Sequence, residues 1–136
     1  MARCLRIAVP IVALTVVAAL LAACGTEGIS SSVTPPYKPG AVLFAQRCGG
    51  CHTLGPAGTQ GTSVNKKDRE RTDGPNLNKR KESVPCVLYA IRNGGFSGAI
   101  MPQNIVTGPQ AQQVAAFVAK YAGQEATIPP VCGGGR

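Results

Sequence analysis

Apolar residues first gather in one stretch, Ile7 to Ala23, broken only by Pro10 and Thr15 and preceded by Arg3 and Arg6. A basic start followed by an apolar run is the pattern of an export signal. The run is short of the about 20 apolar residues that a helix needs to cross a bilayer, and an uncleaved membrane anchor is the plainer alternative reading. Residues 24–39 then turn polar and rich in serine and proline, without periodicity, and read as a flexible tether.

Helical patterning begins beyond the tether, and three segments carry it. The first, about Ala41–Gly49, opens after Pro39-Gly40 and bears Val42, Leu43 and Phe44. The second, about Val84–Asn93, has Ser83 as its N-cap, Pro85 in its first turn and Gly94 as its stop. The third shows the clearest period. Thr107-Gly108-Pro109-Gln110 reads as a capping box with proline in the opening turn, and Val114, Phe117, Val118 and Tyr121 follow at i, i+3, i+4 and i+7 before Gly123. No run alternates as a strand does. The expected architecture is therefore a small all-α domain over residues 40–125 with three main helices, its glycines and prolines in loops, and a tail over residues 126–136.

Composition makes that domain a thin one. Aromatic residues are 4% of the chain and tryptophan is absent. A domain of this size buries a smaller share of its surface than a large one and commonly needs a staple or cofactor.

Cys48-Gly49-Gly50-Cys51-His52 supplies a reason for the thin core, because C-x-x-C-H is the spacing of covalent c-type haem attachment. The three-residue step puts both sulfurs on one side of a helical turn, within reach of two haem vinyl groups, and His52 stands beside them as the proximal iron ligand. A thioredoxin-like C-x-x-C or half of a zinc site are the competing readings. Zinc would need two more ligands at matching spacing, but His52 is the only histidine and the other cysteines stand singly. A thioredoxin motif would close a strand, whereas the residues before Cys48 look helical.

With these motifs in hand, residues 40–123 resemble the class I cytochromes c. In that family an N-terminal helix with a glycine and an aromatic precedes C-x-x-C-H and crosses a C-terminal helix; Gly40, Phe44, Val114 and Phe117 match those positions. The resemblance implies three things more. Gly74-Pro75-Asn76-Leu77 matches a segment whose proline carbonyl accepts a hydrogen bond from the proximal imidazole, with Gly55-Pro56 as a competing turn. Ile100-Met101-Pro102, after the Asn93-Gly94-Gly95 loop, makes Met101 the sixth iron ligand, although a methionine is ordinarily core filling. The cofactor would be one covalent haem c. The chain departs from compact members in a polar insert around Ala57–Asp73; Tyr89 or Arg92 are candidates for contact with a haem propionate, with a solvated arginine as the default reading.

Two further readings concern the remaining cysteines. Leu21-Ala22-Ala23-Cys24 resembles the lipobox of bacterial lipoproteins, in which the cysteine is acylated and becomes the mature N-terminus, so Cys24 is the expected lipid anchor. Cys4 would leave with residues 1–23. Cys86 and Cys132 are then left over, and an oxidising compartment favours a disulfide between them; two free thiols or an intermolecular bridge are the alternatives.

Removal of residues 1–23 takes away Arg3 and Arg6 and leaves twelve basic against six acidic residues, seven of the twelve within Lys66–Lys81. That stretch reads either as a solvated loop or as a docking surface for an acidic redox partner. Nucleic-acid binding is disfavoured, because no aromatic residues punctuate the basic stretch. The sequence thus points to a non-enzymatic monohaem electron carrier, lipid-anchored on the extracytoplasmic face of a bacterial membrane. Partners implied by the resemblance are a terminal oxidase, a quinol–cytochrome c reductase or a dehydrogenase. The alternatives are a haem subunit fixed in a larger oxidoreductase, and a haem domain that senses or binds a ligand; the second is weakened because no histidine remains to serve as distal acid or base.

If haem supplies the missing apolar nucleus, the haem-free chain should be largely unfolded. Far-ultraviolet circular dichroism of apoprotein is expected to show most of the helical signal lost, and a native-like apo spectrum would contradict this.

Overall fold

Two helices approach as closely as they do because one of them carries a glycine at the crossing. In the computed structural model, which describes residues 28–96, 100–126 and 132, α1 (Lys38–Arg47) meets α3 (Gly108–Tyr121) at Gly40. A β-carbon there would overlap the carbonyl oxygen of Gln113 and lie 2.8 Å from the Phe117 β-carbon. Phe44, one helical turn on, stacks at a tilt against Phe117 with ring centroids 5.9 Å apart. α3 packs in addition on α2 (Val84–Asn93), so it is the element shared by both helical interfaces.

The helix boundaries follow local chemistry. α2 runs as its sequence suggests: the Ser83 hydroxyl accepts from the Cys86 amide at 3.4 Å, and Gly94 takes the left-handed conformation (φ 71°) that ends the helix. α1 begins at Lys38, three residues earlier than expected, because Pro39 sits in the first turn, where a missing N–H costs nothing. α3 starts at Gly108 behind Thr107, but the Thr107 side chain makes no capping hydrogen bond, so the expected capping box does not form.

A small hairpin departs from the expectation of helices alone. β1 (Thr53–Leu54) pairs antiparallel with β2 (Thr59–Gln60), Thr53 opposite Gln60 and Leu54 opposite Thr59. A 3-10 turn over Gly55–Ala57 and a left-handed Gly58 (φ 63°) join them. Strands of two residues are too short to display alternation, which is why the sequence pattern does not reveal them. The fold remains three helices with one minimal sheet.

The segment read as a tether over residues 24–39 needs correction from residue 28 onward. Val33 is 1% exposed and belongs to the core. The Thr34 amide donates to the Tyr121 hydroxyl at 2.9 Å, and the Tyr37 ring stands edge-on to that of Tyr121, 5.6 Å between centroids. Pro35–Tyr37 forms a 3-10 turn that runs straight into α1. Ile29, Val33 and Tyr37 amid serines and prolines seat the segment on the core, and Tyr121 offers a hydroxyl to Thr34 and an aromatic face to Tyr37. Residues 1–27, including Cys24 and the lipobox resemblance, lie outside the described residues. Among the described residues no helix is long and apolar enough to cross a membrane.

Cys86, at the start of α2, is joined to Cys132 in a disulfide, their α-carbons 5.1 Å apart. The bond links the tail to α2 across 46 positions of sequence. Leu77, Val87, Ile91, Val114 and Val118 belong to the buried core and at the same time wall one large cavity, around which the helices are arranged.

Phe117 is fully buried at the α1–α3 crossing. Phe117→Ala should destabilise the haem-loaded protein by about 3–5 kcal/mol, the usual cost of emptying a buried aromatic site, measured by denaturant unfolding. A loss well below that range would mean that the crossing does not hold the fold together.

Candidate functional site

The end of α1 sets the course of the Cys-x-x-Cys-His segment. The Phe44 carbonyl accepts from the amides of both Cys48 (2.8 Å) and Gly49 (2.9 Å), and the Cys48 carbonyl then accepts from Cys51 (3.1 Å) and His52 (2.9 Å). Because the chain keeps turning after the helix, Cys48, Cys51 and His52 all line the same cavity. The thiols of Cys48 and Cys51 are free and half-buried. Burial pushes the Cys48 thiol up to about 12, and the neighbouring Cys51 adds to the rise, so Cys48 stays a neutral thiol.

The imidazole of His52 is held by the segment that follows the insert. Nδ1 lies 3.2 Å from the Pro75 carbonyl oxygen and donates to it, which leaves the Nε2 lone pair uncommitted. Burial keeps the His52 pKa below the usual histidine range; the Pro75 bond opposes this and the Arg80 charge adds to the lowering. The ring is accordingly neutral. Pro56, the competing proline, has its carbonyl occupied by the Ser30 amide at 3.1 Å.

That segment is itself fastened to the motif. The Gly74 amide donates to the Cys51 carbonyl (2.8 Å) and the Leu77 amide to the Thr53 carbonyl (2.9 Å). The Thr62 hydroxyl donates to the Gly74 carbonyl (3.0 Å) and accepts from the Thr53 amide (3.0 Å). Gly74 presses on the imidazole so closely that a β-carbon would overlap the ring. The polar insert is thus not a free loop: through Thr62, and through Asp73, which accepts from the Ser63 amide at 3.1 Å, it braces the histidine.

Met101 lines the cavity as well and packs half-buried against the core. Gly94 lets the Met101 segment approach the end of α2, since a β-carbon on Gly94 would stand 2.6 Å from the Met101 carbonyl oxygen. The space not filled by protein atoms is about 1250 Å³, counting its open mouth, and its wall is largely apolar. Two thiols at three-residue spacing, an imidazole with Nε2 free and a thioether sulfur form a donor set that suits a covalently bound haem. The residues fit the group: Cys48 and Cys51 would hold its periphery, His52 and Met101 its iron.

Sequence reasoning missed the charged rim. Arg47, Arg71, Asp73, Arg80 and Glu82 line the cavity. Arg71 and Arg80 belong to the basic stretch Lys66–Lys81, and a run of lysines and arginines carries no sign of which side chain borders a cavity. Tyr89 and Arg92 do not line this cavity. Tyr89 is exposed and stacks on Phe96, centroids 5.0 Å apart, while Arg92 borders a separate small hollow with Leu88 and Asn104. Both follow from their places on the outer face of α2.

A protein-family model described as Cytochrome c matches residues 37–122. No curated protein matches the chain.

Gly74→Ala should displace the His52 ring and break its bond to Pro75. The expected result is loss of most of the low-spin haem spectrum, with thioether attachment through Cys48 and Cys51 retained in the pyridine haemochrome assay. An unchanged low-spin spectrum would show that the close approach at Gly74 is unimportant.

Proposed function

Because the chain belongs to the cytochrome c family, whose model spans residues 37–122, we propose that it is an electron carrier passing single electrons among membrane-associated respiratory partners. Family membership makes it a haem-based electron-transfer protein with covalently attached haem c. The observation that carries the reading is His52, tied to Pro75 through Nδ1 and with Nε2 free in a cavity shared with Cys48, Cys51 and Met101.

Haem c, when bound, supplies an iron that alternates between ferrous and ferric states. The chain's own residues do the rest. Cys48 and Cys51 anchor the group so that it does not leave between partners. The Pro75 carbonyl fixes the His52 ring and raises its basicity. Met101 contributes a soft sulfur, which favours the reduced state relative to a second histidine. Leu77, Val87, Ile91, Val114 and Val118 keep water from much of the site, so little around the iron must rearrange when an electron arrives or leaves. This is a carrier's task and not an enzyme's.

For partners we favour proteins with an acidic docking face. Lys67, Arg69, Lys79 and Lys81 are exposed, and their charge would steer such a partner toward this side of the molecule. A terminal oxidase, a quinol–cytochrome c reductase or a dehydrogenase has the required chemistry. For location we favour the extracytoplasmic face of a bacterial membrane, with Cys24 as the lipid anchor. The apolar run Ile7 to Ala23 ending at Cys24 supports this, and the Cys86–Cys132 disulfide suits an oxidising compartment.

Protein matured in a host that assembles c-type haem should gain one haem mass and show an acylated Cys24 at its N-terminus by mass spectrometry. Met101→Ala should keep the haem mass, lose the ferric band near the red that reports sulfur on iron, and lower the reduction potential. Colourless wild-type protein, or a band that survives the substitution, would refute the respective assignment.

A further inference from the structure

Glu82 is the one acid in the cavity wall that the electron-carrier reading leaves without a role. Its side chain is 7% exposed. Oε1 pairs with Arg80 Nε, while Oε2 is buried and has no hydrogen-bond partner among the described residues. A carboxylate with one oxygen dry and unpaired is costly, and such a group commonly takes up a proton instead. Asp73, the other carboxyl lining the cavity, is half-buried and accepts a hydrogen bond from the Ser63 amide. The contrast singles out Glu82.

The surroundings leave few other groups to act on it. Arg47 reaches the cavity from α1, His52 and Arg71 from the loops around the motif, and Arg80 from the segment leading to α2. α2 itself contributes Cys86, which is committed to its disulfide, and α3 contributes only Val114 and Val118. Burial raises the Glu82 pKa above the ordinary carboxylate range and outweighs Arg80, whose charge and hydrogen bond pull it down.

We propose that Glu82 couples a proton to the redox change of this site, keeping its proton while the iron is reduced and giving it to solvent when an electron leaves for the acceptor. The inference rests on the electron-carrier reading. Its balance is one electron to the partner and one proton to water, and both return on reduction. The physical cause is the added positive charge of the oxidised site in a poorly solvated wall, where it favours the ionised form of Glu82. Arg80 is the counter-charge that keeps the ionised form accessible.

The test is a spectroelectrochemical titration of the haem-loaded protein across the acidic to neutral range. The wild-type potential should fall as pH rises through one single-proton step, with a slope no steeper than tenfold in the equilibrium per pH unit, or about 59 mV, and be flat on either side. Glu82→Gln, similar in shape and unable to ionise, should abolish the step while leaving the low-spin spectrum intact. Arg80→Gln should move the step to higher pH, because the charge that favours ionisation is gone. A flat wild-type profile, or a step that persists in Glu82→Gln, overturns the proposal; should that variant fail to keep its haem, an unmoved step in Arg80→Gln overturns it as well. A reversible couple that ignores pH sinks only the proton link. Absence of haem or of any reversible one-electron couple sinks the carrier reading itself.

Discussion

The imidazole of His52 is caught between two demands: one nitrogen must be tied down and the other left bare inside an apolar cavity. The Pro75 carbonyl meets the first at 3.2 Å. The second depends on the ring staying neutral, which burial favours. Much of the surrounding structure serves this arrangement. Gly74 must lack a side chain to lie against the ring, and Thr62 and the Cys51 carbonyl hold Gly74 in place. The small hairpin and the insert behind it earn an explanation on the same ground, since Thr53 in β1 hydrogen-bonds both to Thr62 and to Leu77. A histidine loosely held would cost orientation at the iron, and the surrounding hydrogen bonds prevent that.

Charge in this site comes from Arg47, Arg71, Asp73, Arg80 and Glu82. Arg80 links two titratable groups of the site: it acts on His52 by its charge and on Glu82 by charge and hydrogen bond. The basic stretch over Lys66–Lys81 therefore divides into two populations. Arg80, half-buried, and Arg71, exposed at the mouth, line the cavity, whereas Lys67, Arg69, Lys79 and Lys81 are exposed and do not. The first group faces the cofactor's surroundings and the second is available to an incoming protein. A single reading of the run as a docking face or as a solvated loop is thus too coarse.

A thin domain is reinforced at both of its ends. Val33, Thr34 and Tyr37 close over Tyr121 at the end of α3, and the disulfide ties Cys132 to the first turn of α2. Cys86 lies in the cavity wall, so the covalent link bears on the same space that the haem group occupies in this family. With few aromatic residues to fill a core, these ties and the cofactor together supply what apolar packing alone would not.

Local chemistry along the chain was sufficient for the haem motif, for the bounds of α2 and for the start of α3, because each rests on residues a few positions apart, whereas the crossing at Gly40 was legible only through resemblance to a family. Pro75 and Met101 were legible only through resemblance to a family, since each is brought to the cavity of His52 by folding and not by nearness in sequence, Pro75 lying 23 residues away. The hairpin, the docked segment around Val33, the burial of Glu82 and the placement of Arg71 and Arg80 at the cavity were not legible at all. Strands of two residues have no period, and a valine among serines or an acid after Lys79-Arg80-Lys81 looks the same whether it faces solvent or a core. Those assignments were decided by tertiary structure, because burial is a property of what packs against a side chain and not of its neighbours in sequence.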